Sequence, residues 1–501
     1  MTLADIAQGV SALPLEGIEG LASLRVREVV IDSRQVQAGD VFVALAGEHV
    51  DGHAFVREAF TRGAIAALVK ADQDVPLNGL AAGRLDTTGQ RNQADHQTSP
   101  QVHAQAVTSP QPSLLILTDD PLAALQRLAA FWRRKAAGPA LRVIGITGSI
   151  GKTTTKELVA QVLGMRYRTL KSEGNLNNEI GVPLTLLKLR PEHERAVIEM
   201  GMYTPGEIAV YCQWALPATG IVTIIAPVHL ERLGSIDQIV QAKTELVASL
   251  PPASEGGVAI LNDDDERVRG MARATQARIL TYGLSARADV WADNIASSGL
   301  DGIAFTLHYK DQSRFVKLAL LGQHSVQTAL RATAAGLAEG LALDEIVEGL
   351  AIHSAQLRLV VARGPHGSLV LDDTYNASAE STLAALNLLN EIEDEGPRIA
   401  VLGDMLELGD TEKEAHDEVG CRAALVAQAI IGVGERSRWT CQAAVECGAA
   451  RDRVFHVMTN AEALEVLGEI VGEKCVILVK GSRGMQMEMI VAGLGELAGE
   501  D

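Results

Sequence analysis

The sequence predicts an α/β protein of three domains: a small α/β domain, a central P-loop domain with a mostly parallel sheet, and a C-terminal Rossmann-like domain. Three observations carry that expectation. From Arg142 onward, apolar runs of strand length alternate with glycine-rich turns and helical periods, the pattern of a parallel sheet covered by helices on both faces. A second such series starts after Arg358. The chain is also 501 residues long, room for about three cores at roughly 100–200 residues each.

Taken in order, the first 70 residues alternate apolar runs with turns: VREVVIDSR, DVFVALAG, a helical pattern through AFVREAFTRGA, then AALVK. The tract 85–113 is unlike the rest, rich in Gln, Ser, Thr and Pro, with TSPQ at Thr98–Gln101 and again at Thr108–Gln111. It holds too little apolar surface to offset its ordering entropy and reads as a disordered insertion, with His96 and His103 as solvated loop residues. LLIL (114–117) resumes a strand, and Asp119 or Asp120 caps a helix with Pro121 in its first turn.

In the central region, VIGIT (143–147), AVIEMG (196–201), GIVTII (220–225) and GVAILN (257–262) read as strands, with helices over Lys152–Leu163 and Ile236–Leu250. Residues 288–322 alternate like an antiparallel edge. SLVLDDTY, RIAVLGD, AIIGVG, VFHV and VILVKG form the last strand series, each of the first four followed by a helical stretch. Gly432 and Gly434 lack the third glycine of a dinucleotide fingerprint and read as a structural turn. Boundaries fall near residues 138 and 357, giving domains at 1–138, 139–357 and 358–501.

Composition limits the function classes. Lys+Arg number 44 against 63 Asp+Glu, a net charge of -19 that disfavours nucleic acid or an anionic membrane as partner. Aromatics make up only 3%, too few for base-stacking platforms. No apolar run reaches the ~18 residues of a membrane helix, and the start lacks a secretory pattern, so a cytoplasmic protein without stable membrane insertion is expected. Five scattered cysteines (Cys212, Cys421, Cys441, Cys447, Cys475) have no C-x-x-C pair and read as reduced thiols.

The most specific motif is Thr147-Gly148-Ser149-Ile150-Gly151-Lys152-Thr153-Thr154, between a buried strand and a helix. Glycines let backbone N–H groups converge on phosphate oxygens, and the helix N-terminus favours negative charge. Lys152 can reach the β- and γ-phosphates of ATP, and the Thr153 hydroxyl can bind Mg²⁺. Ile146 stands where the longer form of this motif has its first glycine. Glu199 ends a strand at a carboxyl edge, where ligands of open α/β folds gather, and suits Mg²⁺; the alternative is an exposed strand-end acid. Position alone leaves His229 between a structural and a ligand role, and Lys243 reads as a solvated helix lysine.

The loop resembles the ATP site of the Mur ligases, which make cell-wall peptide precursors, and of the related folylpolyglutamate synthetases. The synthetases' G-T-N-G-K-G-S loop is absent, as is the D-N-P-R signature of the diaminopimelate-adding branch. Further segments are similar to the branch that adds D-alanyl-D-alanine: Asp32-Ser33-Arg34 with VFVALAGEHVDGHAF, EGNLNNEIGVPLTLL (173–187), HLERLGS (229–235), AKTEL (242–246), DDTYNAS (372–378), LGDMLELG (402–409) and VKGSR (479–483).

The resemblance implies a UDP-substrate domain at the N-terminus and a monomeric ligase using ATP and Mg²⁺ on UDP-N-acetylmuramoyl-tripeptide and D-alanyl-D-alanine. It implies Lys152, Glu199, His229, Lys243 and Arg358 as catalytic residues, with Lys243 carbamylated and, beside Thr153, Glu199 and His229, a magnesium ligand. Asp373 would meet the ribose of ATP, with Ser325 and Thr328 near the adenine. Asp32, Ser33, Arg34, Asn175, Asn177 and Asn178 would bind the UDP substrate. Asn376, Ala377, Ser378, Lys480, Ser482 and Arg483 would lie near the dipeptide. The chain departs from the family where His324-Ser325-Val326-Gln327-Thr328 replaces H-N-x-x-N, where Ile224-Ile225-Ala226 replaces Asn-Ile-Gly, and where Ser378-Ala379 replaces Asn-Pro. Two other readings stay open: a Mur-family ligase for another amine, and a nucleotide-binding module without catalysis.

Overall fold

The computed structural model describes residues 1–11, 21–47, 50–75, 77, 82–87, 113–136, 138, 140–227, 235–297, 302–322, 324–352, 360–392 and 396–498. The protein is α/β, with mostly parallel strands. Two compact units contain residues 1–143, 168–200 and 209–216, and residues 144–167, 201–208 and 217–501.

In the first unit, strands Val29–Val30, Val41–Val43, Ala66–Lys70, Leu114–Thr118 and Gly83–Asp86 lie in that spatial order, all parallel. Val41–Val43 is wholly buried and Ala66–Lys70 nearly so, as strands covered on both faces are. Helix Pro121–Ala136 starts at Asp120, whose Oδ1 accepts from Leu122 N at 2.8 Å and Ala123 N at 3.2 Å, so Asp120 is the cap. Against it packs Leu3–Val10, a helix with no counterpart in the sequence expectations. Thr2 and Asp5 form its capping box, and a Cβ on Gly9 would lie 2.5 Å from Leu128 Cδ1. A parallel pair, Thr169–Lys171 with Arg195–Glu199, belongs to the same unit.

The expected insertion begins later than residue 85. Leu85 and Asp86 belong to strand Gly83–Asp86, and Leu85 is buried against the sheet. A four-residue strand reading GRLD alternates too briefly to stand out beside a polar tract. Residues 88–112 lie outside the described residues.

In the second unit, strands run in the order Gln312–Leu318, Ile303–Tyr309, Val290–Ser297, Arg278–Gly283, Val258–Asn262, Thr219–Val222 and Arg142–Thr147. The first three pair antiparallel, as the alternation in 288–322 predicts, and the rest are parallel. A six-stranded sheet follows: Val360–Arg363, Leu369–Asp373, Val476–Lys480, Arg398–Gly403, Ala429–Val433 and Val454–Val457, with only the first pair antiparallel. Its side chains divide by the two-residue period of a strand. Leu371, Ala400, Leu402 and Leu478 build one core, and Val370, Ile399, Val401, Ile477 and Val479 the other. Each such Leu, Ile or Val stabilises the fold by about 1.5–3 kcal/mol relative to exposure, which explains why near-continuous apolar runs read as strands here.

One cysteine expectation is corrected. Cys421, in helix Glu412–Val426, and Cys447, just past helix Ser437–Glu446, form a disulfide with Cα atoms 5.1 Å apart. The two helices approach closely at Gly420, where a Cβ would lie 2.2 Å from Thr440 O, and nothing in the spacing of the cysteines signals that contact. Cys212, Cys441 and Cys475 are buried thiols outside any disulfide, and burial pushes the Cys441 thiol up to about 11. No helix among the described residues is long and apolar enough to cross a membrane.

Candidate active site

Strand Arg142–Thr147 ends on buried Thr147, and helix Lys152–Gly164 begins after the four residues 148–151. The turn between them demands glycine twice. Gly148 has φ 143°, and a Cβ there would lie 1.8 Å from Thr223 Oγ1; Gly151, at φ 80°, is the helix N-cap. The residues after Thr219–Val222 clamp the loop: Thr223 Oγ1 donates to Ile150 O at 2.6 Å, Ser149 N to Ile224 O at 2.8 Å, and Ala226 N to Ser149 Oγ at 3.0 Å. Lys152 folds back so that Nζ donates to Gly148 O at 2.8 Å and Ser149 O at 3.0 Å, while Thr153 and Thr154 occupy the helix's half-buried first turn. The substituted segment Ile224-Ile225-Ala226 therefore works through its backbone, Ile225 N donating to Asp265 Oδ2 at 2.8 Å.

Lys243 is not solvated. It is 2% exposed on helix Ile236–Ala248, and desolvation, then the charge of Lys152, hold its ammonium well below the ordinary lysine range. A neutral amine is the form that adds CO₂, so its chemistry fits the carbamate that the family resemblance implies. His229 and Arg358 lie outside the described residues.

Within the first unit, Glu199 is 1% exposed and anchored: its N donates to Ser172 Oγ at 3.1 Å, and its Oε1 accepts from Asn177 Nδ2 at 2.8 Å. The three asparagines thus differ. Asn177 orients the carboxylate, Asn178 Oδ1 accepts from Gly181 N at 2.9 Å to start helix Gly181–Leu187, and Asn175 O accepts from Asn177 N at 2.7 Å in the turn. Asp32 caps the short turn Ser33–Gln35 and takes both Nε and Nη2 of Arg34 at 2.9 Å. That guanidinium holds the Asp32 carboxyl below the usual carboxylate range, and Ser33 Oγ donates to Glu58 Oε2 at 3.0 Å.

In the second unit, Lys480 and Asp373 face each other at the ends of paired strands. Lys480 Nζ, nearly inaccessible, donates to Asp373 Oδ2 at 2.7 Å and Asn376 O at 2.9 Å. Asn376 Oδ1 accepts from Ala377 N at 2.9 Å, and Ser378 caps helix Ala379–Glu391. Ser482 Oγ accepts from Leu406 N at 2.8 Å, tying VKGSR to LGDMLELG, whereas Arg483 is exposed and reaches Glu488. Helix His324–Ala338 carries Ser325, whose hydroxyl donates to Leu321 O at 2.7 Å, and Thr328, whose hydroxyl accepts from Arg331 Nη2 at 2.7 Å. His324 is exposed and lines a cavity of about 280 Å³; its pKa is lowered by desolvation against the opposing pull of Asp373. The cavity is also lined by Asn387, Asn390, Glu391 and Arg422. Sequence reasoning missed Thr223 and Arg331; the signal for Arg331 is a charged residue one turn from Thr328 on an alanine-rich helix.

A glycine turn between strand and helix, with a lysine in the first turn, defines a phosphate-binding enzyme class, and the dinucleotide-type sheet that follows makes it a multidomain one. Family profiles match along most of the chain: Mur ligase family, catalytic domain, over residues 25–132, Mur ligase middle domain over 146–336, and Mur ligase, glutamate ligase domain, over 357–483. The chain belongs to the Mur ligase family. It is 35% identical over 472 residues, 93% of each chain, to the UDP-N-acetylmuramoyl-tripeptide--D-alanyl-D-alanine ligase of Bacillus subtilis (strain 168). Among solved structures it is similar to MurF from Acinetobacter baumannii (30% identity, TM-score 0.78, 98% of each chain). It is also similar to the MurF ligase from Thermotoga maritima in complex with ADP (26% identity, TM-score 0.73, 95% of this chain and 98% of that one).

Proposed function

We propose that this chain is an ATP-dependent ligase that joins D-alanyl-D-alanine to UDP-N-acetylmuramoyl-tripeptide in peptidoglycan precursor synthesis. The observation that carries the reading is 35% identity along 93% of the chain to an enzyme of that name. Residues 1–138 hold the UDP substrate, 139–357 hold ATP and 358–501 receive the dipeptide, in a cytoplasmic monomer.

The terminal carboxylate of the tripeptide attacks the γ-phosphorus of ATP; the bond to the bridging oxygen breaks and ADP leaves. The dipeptide amine then adds to the acyl carbon, loses a proton, and expels phosphate carrying one former carboxylate oxygen. Lys152 leaves its loop carbonyls for the β- and γ-phosphates, and with Arg358 neutralises charge as it moves. Asp373, held by Lys480, faces the ribose, and Asn376, Ala377, Ser378, Lys480, Ser482 and Arg483 border the dipeptide. Asp32, Ser33, Arg34 and Asn175 act on the UDP substrate.

Magnesium fits the donor set. Among the described residues no cluster of three His, Cys, Asp or Glu side chains forms a cage. Mg²⁺ favours one or two carboxylates beside phosphate and water; Thr153, Glu199 and a carbamylated Lys243 would offer it oxygen donors, and His229 a ring nitrogen, as the family resemblance implies. When bound, the ion neutralises phosphate charge.

The test mixes ATP, Mg²⁺, the UDP-tripeptide and the dipeptide. UDP-pentapeptide and ADP should form in equal amounts, and single amino acids should not replace the dipeptide. A folded enzyme that makes no dipeptide-dependent product would sink the reading.

A further inference from the structure

We infer that Arg331 is a nucleotide-positioning residue that lends its charge to the phosphates bound at the loop, an inference that rests on the ligase reading for its ligand, ATP. Arg331 lies on helix His324–Ala338 and is 4% exposed. The first atom that a Cβ on Gly151 would meet is Arg331 Nη2, at 3.3 Å, so the guanidinium stands directly against the phosphate loop. Two contacts fix its plane. Nη2 donates to Thr328 Oγ1 at 2.7 Å, and Cζ stands 5.7 Å from the centre of the Tyr282 ring, whose own hydroxyl donates to Thr223 O at 2.7 Å. Thr223 is the residue that clamps the loop through Ile150 O.

Among the described residues, Arg331 Nε has no hydrogen-bond partner and no carboxylate pairs with the guanidinium. Arginine does not shed its proton in proteins, and a buried charge without a counter-ion is expensive. The anion this part of the fold is shaped to receive is a polyphosphate, at the helix N-terminus that Gly151 caps. Thr328 acquires a definite task in this arrangement: its hydroxyl accepts from Arg331 and orients a cation beside the loop.

Equilibrium binding of ATP to the full chain tests this, with melting temperature as the fold control. Arg331→Met should weaken ATP and inorganic tripolyphosphate by about tenfold or more, leave adenosine unchanged, and leave the nucleotide-free protein at least as stable, because a buried charge without a paired carboxylate is removed. Arg331→Lys should restore most of the ATP affinity; Arg331→Gln carries the same expectation as Met if the Met variant does not fold. In turnover, KM for ATP should rise while KM for the UDP-tripeptide holds. Unchanged ATP affinity in the neutral variants, or equal losses for adenosine and tripolyphosphate, would overturn the inference. A wild-type chain that binds no ATP would overturn the ligase reading and the inference with it.

Discussion

The phosphate loop and the helix His324–Ala338 belong to one unit and are built on opposite principles. The loop is backbone: Gly148 and Gly151 take φ values of 143° and 80°, and carbonyls of Gly148, Ser149 and Ile150 are held by Lys152 and Thr223. The helix is side chains on a regular backbone, with Ser325, Thr328 and Arg331 buried among alanines. A site made of backbone admits no Cβ where the chain turns, whereas one made of side chains can be rewritten residue by residue. The loop accordingly matches its family motif, while the helix carries Ser325 and Thr328 where the family has asparagines.

The hardest blow to that contrast falls on the loop. Gly148→Ala places a Cβ 1.8 Å from Thr223 Oγ1 at a strained φ, and should remove ATP binding and lower turnover by roughly 10³-fold. Calorimetric titration measures it, and near-normal affinity would mean the loop is more plastic than its geometry says. Next is Lys243. Burial holds its ammonium well below the ordinary lysine range, and under the proposed carbamylation a falling pH protonates the amine and opposes the carbamate. Turnover should drop severalfold in CO₂-free buffer, more steeply at lower pH, and return with bicarbonate; indifference to bicarbonate would remove the carbamate. Thr223→Val deletes one hydrogen bond to Ile150 O and should weaken ATP by about fivefold, the effect of about 1 kcal/mol. The smallest change is Ser325→Ala, whose hydroxyl only caps its own helix turn; ATP affinity should move less than about twofold. A larger shift would make the helix as exacting as the loop.

What was legible in the sequence follows the same division. Local pattern suffices for the glycine turn and for strands whose alternate residues enter two cores, so the loop and the last sheet were readable. Contacts between distant segments leave no such trace. The Cys421–Cys447 bond, the Asn177 hold on Glu199 and the seat of Arg331 against Gly151 each depend on packing between elements, and Lys243 read as solvated because one lysine does not break a helical pattern. Leu3–Val10 went unread although Thr2 and Asp5 spell its cap, because eight residues before a turn offer little periodicity.

An acyl-phosphate route transfers one carboxylate oxygen to phosphate as the amide forms. UDP-tripeptide labelled with ¹⁸O in its terminal carboxylate, incubated with ATP, magnesium and the dipeptide, tests it directly. One ¹⁸O should appear in the inorganic phosphate for each UDP-pentapeptide made. Pentapeptide accompanied by unlabelled phosphate would contradict it.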